Sequence, residues 1–259
     1  ESEVAYDRVG LSSYFAGKTR KDLSLVPEGY YDEHGVEIFI GDKAVSIDRA
    51  AKIVTSEQGR EVPYDHLILA TGSYPFVPPI EGREQDHVHV YRTFDDLEDI
   101  KNSAQSDSKS GVVLGGGLLG LECANALKNL GLEAHVVEFA RDLMGVQIDE
   151  DASDLLRTKI EELGVRIHTS KNTKLITEGE NARYKLKFAD DTVLETDVIV
   201  FSVGIRARDE IARNCGVEIG ARGGIVIDSE CRSSDPSIFA IGECASYDNF
   251  IYGLVAPGY

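Results

Sequence analysis

Apolar and polar positions along this 259-residue chain follow two rhythms. From His34 to Ala70 short β-rich runs dominate: Val36 to Ile40, Ala44 to Ile47, Lys52 to Thr55 and His66 to Ala70, separated by Gly41-Asp42, the Asp48 to Ala51 turn and Gln58-Gly59. The last run, continuously apolar after its histidine, has the pattern of a strand covered on both faces. Thr71-Gly72-Ser73 ends it, and Pro75, Pro78 and Pro79 then oppose regular structure, which makes this stretch a natural crossing between domains.

Beyond the prolines the rhythm changes. Asp95 to Gln105 has helical spacing and Ser106 to Ser110 reads as a polar loop. A strand over Gly111 to Leu114, a glycine turn, a helix over Leu118 to Leu130 and a strand over Ala134 to Glu138 form a βαβ unit, the building block of a parallel sheet. Asp149 to Leu163 predicts an amphipathic helix, with Leu155, Leu156, Ile160 and Leu163 at helical spacing and Gly164 as its stop. Val165 to His168 is the next strand. Lys174 to Thr177, Tyr184 to Phe188 and Val193 to Glu195 predict an antiparallel meander, and Asp197 to Phe201 a buried strand ending at Val203-Gly204. A short helix near Asp209 to Asn214 and strands over Gly224 to Asp228 and Ser237 to Ile241 complete an α/β pattern.

The chemistry concentrates at the turn of the βαβ unit. Gly115 permits a tight turn off the strand, Gly117 lacks a Cβ and lets the backbone approach a pyrophosphate, and Gly120 allows close packing of helix on sheet. The phosphates would then meet the free N–H groups and positive dipole end of a helix beginning Leu118-Leu119. The following strand ends in Glu138, where a carboxylate can accept hydrogen bonds from an adenosine ribose and would repel a 2′-phosphate, so NADH is expected over NADPH; Arg141 close by works against that preference. The alternative is a glycine turn used only for packing, with an ordinary surface glutamate. Glu122, in an otherwise small and apolar helix start, either approaches a nicotinamide ring or flavin edge or simply serves as a favourable first-turn acid.

Composition narrows the partners. A formal charge of −18 would repel nucleic acid and anionic membranes, and no local basic patch offsets it. No run approaches the length needed to span a bilayer and the first residues are not signal-like, so a cytoplasmic protein is expected. Cys123, Cys215, Cys231 and Cys244 are widely spaced with no CxxC pair, which disfavours a zinc site or a redox dithiol and predicts reduced, mostly buried thiols.

Four motifs in order, Leu69-Ala70-Thr71-Gly72, Gly115 to Gly120, Val203-Gly204 and Ile241-Gly242-Glu243, make the chain resemble the two-dinucleotide flavoprotein reductases, in which a nicotinamide domain is inserted into an FAD domain. Ala5-Tyr6-Asp7-Arg8, Leu11 to Phe15, Ala70 to Pro75, Ala240 to Ala245 and Gly253 to Tyr259 make it most similar to the N-terminal reductase region of the NAD(P)H nitrite reductase large-subunit family. The resemblance implies a Rossmann-like NAD(P)H-binding domain over 92–224 inserted into an FAD-binding domain over 1–91 and 225–259. It implies that Gly115, Gly117, Leu118, Leu119, Gly120, Glu138 and Gly204 serve NAD, and that Arg8, Ala70, Thr71, Gly72, Gly242, Glu243, Leu254 and Ala256 serve FAD. Glu243 stands where aspartate usually contacts the ribityl chain, the alternative role being that of a turn acid. Glu122 matches the family acid near the nicotinamide. Ser13 replaces the lysine that relatives of the ferredoxin-reductase type carry near the flavin, so Glu122 is expected to act unassisted.

The same resemblance implies hydride transfer from NADH to FAD, with electrons passing on to iron–sulfur and sirohaem centres that reduce nitrite to ammonia. No cysteine set for those centres occurs here, so they are expected in other domains of the parent subunit, with a small subunit as a further partner. The FAD domain's first strand and glycine loop do not precede Tyr6, and the FAD site is therefore expected to lack one wall, leaving the fragment alone inactive. Two further readings are a reductase of a small iron–sulfur carrier or oxygen, and a dinucleotide-binding fragment without turnover.

Overall fold

The computed structural model describes residues 3–251, which divide into two compact units: one of 3–9, 23–74 and 205–251, the other of 10–22 and 75–204. In the first unit a short helix, α1 (Tyr30–Glu33), precedes three antiparallel strands in sequential order, β1 (Ala44–Asp48), β2 (Ile53–Ser56) and β3 (Glu61–Pro63). The β1–β2 turn forms where expected because the Asp48 carboxylate accepts from Ala50 N and Ala51 N, each at 2.9 Å. Val36 to Ile40, expected as a strand, is irregular; among the described residues no strand pairs with it, and Val36, Ile38 and Ile40 are exposed. Next come β4 (Leu67–Leu69) and β5 (Ser73–Pro75), the latter a short strand inside the stretch expected to be irregular. It survives because its proline is terminal and demands no ladder hydrogen bond.

The inserted unit is a five-stranded parallel sheet. Its elements are β6 (Val88–Val90), α2 (Phe94–Gln105), β7 (Ser110–Leu114), α3 (Leu118–Asn129), β8 (Glu133–Val137), α4 (Glu150–Glu162) and β9 (Arg166–His168), then β10 (Thr173–Glu178), β11 (Tyr184–Phe188), β12 (Val193–Thr196) and β13 (Val198–Phe201). The sheet order is β6-β13-β7-β8-β9, and β10-β11-β12 form the expected antiparallel meander. Meander residues Ile176, Leu186 and Phe188 pack with Val112, Leu114, Ile199 and Phe201 of the sheet. Fully buried side chains of this kind each contribute roughly 1.5–3 kcal/mol. Helix α2 starts at a capping box, Thr93 Oγ1 accepting from Asp96 N at 3.3 Å and Asp96 accepting from Thr93 N at 2.8 Å, worth about 1 kcal/mol. It buries Phe94, Leu97, Ile100 and Ala104, at helical spacing. In α4 the expected apolar face is only partly covered. Leu156 and Ile160 are half-buried, whereas Leu155, about 100° round the axis from Leu156, and Leu163 are exposed.

The chain returns to the first unit through β14 (Ile205–Ala207), which pairs with β5, then α5 (Glu210–Asn214), β15 (Ile225–Val226), β16 (Ile238–Ala240) and β17 (Ala245–Ser246). Strand β16 runs parallel to β4. Strand β4 pairs with no other strand among the described residues, and it is not covered on both faces as its sequence suggested, since Ile68 is 60% exposed while Leu69 is buried. The unit boundaries also differ from 91/92 and 224/225. β6 hydrogen-bonds to β13, which assigns 75–91 to the inserted unit, while Ala212 and Val217 share a core with Ile47 and Leu69, which assigns 205–224 to the first. Residues 10–22 join the inserted unit, where Leu11 is buried and Tyr14 meets Phe94 edge-on.

Candidate dinucleotide-binding site

Strand β7 is where the order of the parallel sheet reverses: β8 and β9 follow on one side, β13 and β6 lie on the other. In open α/β sheets such a switch point leaves a crevice at the carboxyl ends of the strands, the usual place for a ligand. Three chain segments meet there. Gly115 N, at the exit of β7, donates to Val137 O at 2.8 Å, and Ser202 N, beyond β13, donates to Leu114 O at 2.8 Å.

Each predicted glycine has a different reason to be glycine. Gly115 sits at φ +117°, and a Cβ there would lie 2.2 Å from Ser202 O. A Cβ on Gly120 would lie 2.0 Å from Gly115 O, so α3 packs against the loop closer than any side chain allows. Gly117 is the opposite case, with nothing within 4 Å of its Cβ position. It is also the N-cap of α3 and supplies no side chain to cap the first-turn amides, beside which Leu118 and Leu119 are exposed. That combination of open space and uncapped amides fits a pyrophosphate. Gly204 closes β13 at φ +106°, also with open space, and its carbonyl accepts from Phe76 N at 2.9 Å. Gly116 went unremarked in the sequence, although the unbroken triplet Gly115-Gly116-Gly117 signalled it. A Cβ there would lie 2.6 Å from Leu143 Cδ2.

Glu138 directly follows β8 and stands beside this loop. Its carboxylate accepts from Gly116 N at 2.6 Å and from Ala140 N at 2.7 Å. The acid therefore ties the glycine loop to the strand end, a role the sequence pattern does not announce. Arg141 is paired with Asp142, at 2.9 Å, and with Glu150.

Glu122 lies in the first turns of α3, half-buried, and burial holds its carboxyl above the ordinary glutamate range, opposed by a hydrogen bond from the Ser12 hydroxyl. The expectation of an unassisted Glu122 is thus corrected. Ser13 turns back to donate to Gly10 O at 2.5 Å, and it is its neighbour Ser12 that supports the acid. Tyr91, 5% exposed and stacked on Phe15, borders the same cluster, and burial raises its phenol well above the usual range.

In the first unit the structure brings the residues at the ends of β4 and β16 together. Ile241 N donates to Leu69 O at 3.0 Å, Thr71 Oγ1 donates to Arg208 O at 2.5 Å, and Arg208 N donates to Gly72 O at 2.8 Å. Glu243 accepts from the buried Ser73 hydroxyl at 2.7 Å, a link unforeseen from the sequence. Gly72 and Gly242 both adopt positive φ, +67° and +74°, with open space at their Cβ positions, and Ala70 is exposed between them and β4. A nucleotide phosphate or ribityl chain fits against backbone of this kind. Arg8 lies over the Tyr6 ring, 5.1 Å from its centroid. Leu254 and Ala256 lie outside the described residues. All four cysteines are free; Cys123 and Cys244 are buried as expected, Cys215 and Cys231 only partly. Among the described residues no cluster could hold a metal ion, and no helix is long and apolar enough to cross a membrane.

A switch-point crevice, a glycine loop opening a helix and an acid at the next strand end define a dinucleotide-binding α/β protein. More narrowly, the chain belongs to the pyridine nucleotide-disulphide oxidoreductase family, whose model matches residues 1–256. It is 55% identical over its whole length to the NADH nitrite reductase large subunit of Escherichia coli and 54% identical to the NAD(P)H nitrite reductase large subunit of Klebsiella oxytoca, covering 31% and 27% of those proteins. It thus spans about a third or less of the length of these relatives. Among solved structures, a ferredoxin reductase from Rhodopseudomonas palustris superimposes with a TM-score of 0.89 at 30% identity, over 98% of this chain and 62% of that one.

Proposed function

We propose that this chain is the reductase module of a nitrite-reducing flavoprotein, taking electrons from NADH and delivering them through FAD to iron–sulfur and sirohaem centres in other domains of the parent subunit, with a small subunit as a further partner. The observation that carries the reading is Gly117: open space at its Cβ position, at the uncapped start of α3 and one residue from the amide that Glu138 holds. Identity of 55% over the whole of this chain, which is 31% of a nitrite reductase large subunit, supports the choice of acceptor.

When bound, NADH would supply a hydride and FAD would supply a two-electron acceptor able to release electrons singly. The work of this chain is binding and orientation. Gly115, Gly117 and Gly120 with the first amides of α3 hold the pyrophosphate, Glu138 faces the adenosine ribose and favours NADH over NADPH, and Glu122, supported by Ser12, orients the nicotinamide amide. Thr71, Gly72, Gly242 and Glu243 would hold the FAD phosphates and ribityl chain.

The test is a pair of measurements, one on this chain and one on the full-length parent protein. On the chain, calorimetry should give micromolar or tighter NADH binding with NADPH at least tenfold weaker. In the parent protein, NADH should bleach the flavin absorbance anaerobically. Equal affinity for both dinucleotides would sink the role of Glu138; no binding of either would sink the reading as a whole.

A further inference from the structure

We infer that Asp142 and Glu150 are specificity-determining residues, which exclude NADPH by holding Arg141 away from the adenosine ribose. The inference rests on the NADH reading above and concerns residues outside the glycine loop and its acid. Arg141 is the cation nearest in sequence to Glu138, and a cation there ordinarily invites a 2′-phosphate. Its backbone is anchored on both sides to the dinucleotide site. Ala140 N donates to Glu138, Met144 N donates to Gly116 O at 3.0 Å, and the fully buried Leu143 side chain abuts Gly116. Arg141 therefore projects from a short loop whose two ends are bound to Glu138 and Gly116.

Its guanidinium is already committed. One terminal nitrogen meets Asp142 Oδ1 at 2.9 Å and the other meets Glu150, the first residue of α4. Two other cations beside this loop are committed as well: Lys171, whose amide donates to Glu138 O, places its ammonium 2.5 Å from Asp190, and Arg157 donates to Arg141 O and to the Thr169 hydroxyl. A 2′-phosphate would meet the charge of Glu138, with each of these cations engaged elsewhere. NADH, carrying a neutral hydroxyl, meets none of that repulsion. Since Arg141 and Glu150 are both more than half exposed, solvent screens the pairs and each acid should account for a several-fold rather than a thousand-fold preference.

The experiment is a double-mutant cycle read by calorimetry of NADH and NADPH against the full chain at low and moderate salt. Glu150→Gln and Asp142→Asn each keep side-chain shape on exposed or half-exposed positions, so folding is preserved. Each should raise the ratio of NADPH to NADH affinity about three- to tenfold, and the pair together more. In an Arg141→Ala background the gain should vanish. A gain that persists without Arg141 would reflect only the lost negative charge and overturn the clamp, as would an unchanged ratio in the acid variants. Failure of the unsubstituted chain to bind either dinucleotide would instead overturn the NADH reading on which the clamp depends.

Discussion

The Glu138 carboxylate accepts a hydrogen bond from Gly116 N at 2.6 Å, so the acid that ends one parallel strand fixes the glycine loop that ends its neighbour. A second bond, from Ala140 N, fixes the carboxylate itself. Replacing Glu138 by alanine should therefore do more than remove a ribose contact. Hydrogen bonds to a charged group contribute about 1.5–3 kcal/mol each, so NADH affinity should fall on the order of 10- to 100-fold. Amide exchange at Gly116 and Ala140 should also accelerate in the absence of any dinucleotide. Unchanged protection at those two amides would show that the carboxylate does not organise the loop.

The glycines should separate into a binding position and a packing position. Gly117→Leu places its side chain in open space, so melting should shift little while NADH binding is lost. Gly120→Ala drives a Cβ to within 2.0 Å of Gly115 O, and backbone must move. That overpacking should destabilise the inserted unit by roughly 1–3 kcal/mol, visible as a lower Tm before any ligand is added. A destabilised Gly117→Leu with a normal Gly120→Ala would reverse the assignment.

These contrasts mark what the sequence could and could not tell. The βαβ unit was legible because Gly115, Gly117, Gly120 and Glu138 occupy fixed places relative to a strand and a helix, and periodicity located that strand and helix. The support of Glu122 by Ser12 was not, because these residues are 110 positions apart and a hydroxyl has no pattern of its own; nor was the Ser73–Glu243 bond, for the same reason. Val36 to Ile40 misled because β propensity describes a half-buried pleated surface, and this segment finds no strand to pair with among the described residues. The unit boundary was missed because Val88–Val90 is too short a run to announce a strand, yet it forms one edge of the parallel sheet.

Glu122 gives a pH signature of defined sign. Burial raises its carboxyl above the ordinary 4.5, so the folded chain binds more protons than the unfolded chain just above that value. Its contribution to stability is full below pH 4.5 and is lost as pH rises through the raised value. Glu122→Gln, which never charges, should accordingly gain on the unsubstituted chain in Tm as pH goes from about 4 to 7. Ser12→Ala, which removes the hydrogen bond that opposes the shift, should enlarge the loss with rising pH. Parallel Tm curves for all three proteins would place Glu122 in solvent.

The opposite sign belongs to a histidine pair on β8 and β9. His135 Nδ1 and His168 Nε2 are 3.0 Å apart with the rings stacked at an interplanar angle of 9°, so one nitrogen must donate and the other accept. Burial is the first cause holding both below the ordinary 6.5. The other imidazole and Arg166 add to the effect at His135, Lys171 and Arg166 add to it at His168, and Glu133 and Glu161 oppose it. The folded chain then binds fewer protons than the unfolded one, so stability is full above pH 6.5 and falls as pH drops through the lowered values. Because His168 O accepts from Glu138 N at 2.8 Å, loosening this pair reaches the strand end that holds the glycine loop. His168→Gln keeps a hydrogen-bonding side chain that does not titrate. It should shrink the difference in Tm between pH 7 and pH 5 by a few degrees, and NADH affinity should fall less on acidification than in the unsubstituted chain. Titration of the two imidazoles by NMR checks the premise directly: if both protonate near 6.5, the pair contributes nothing to acid sensitivity.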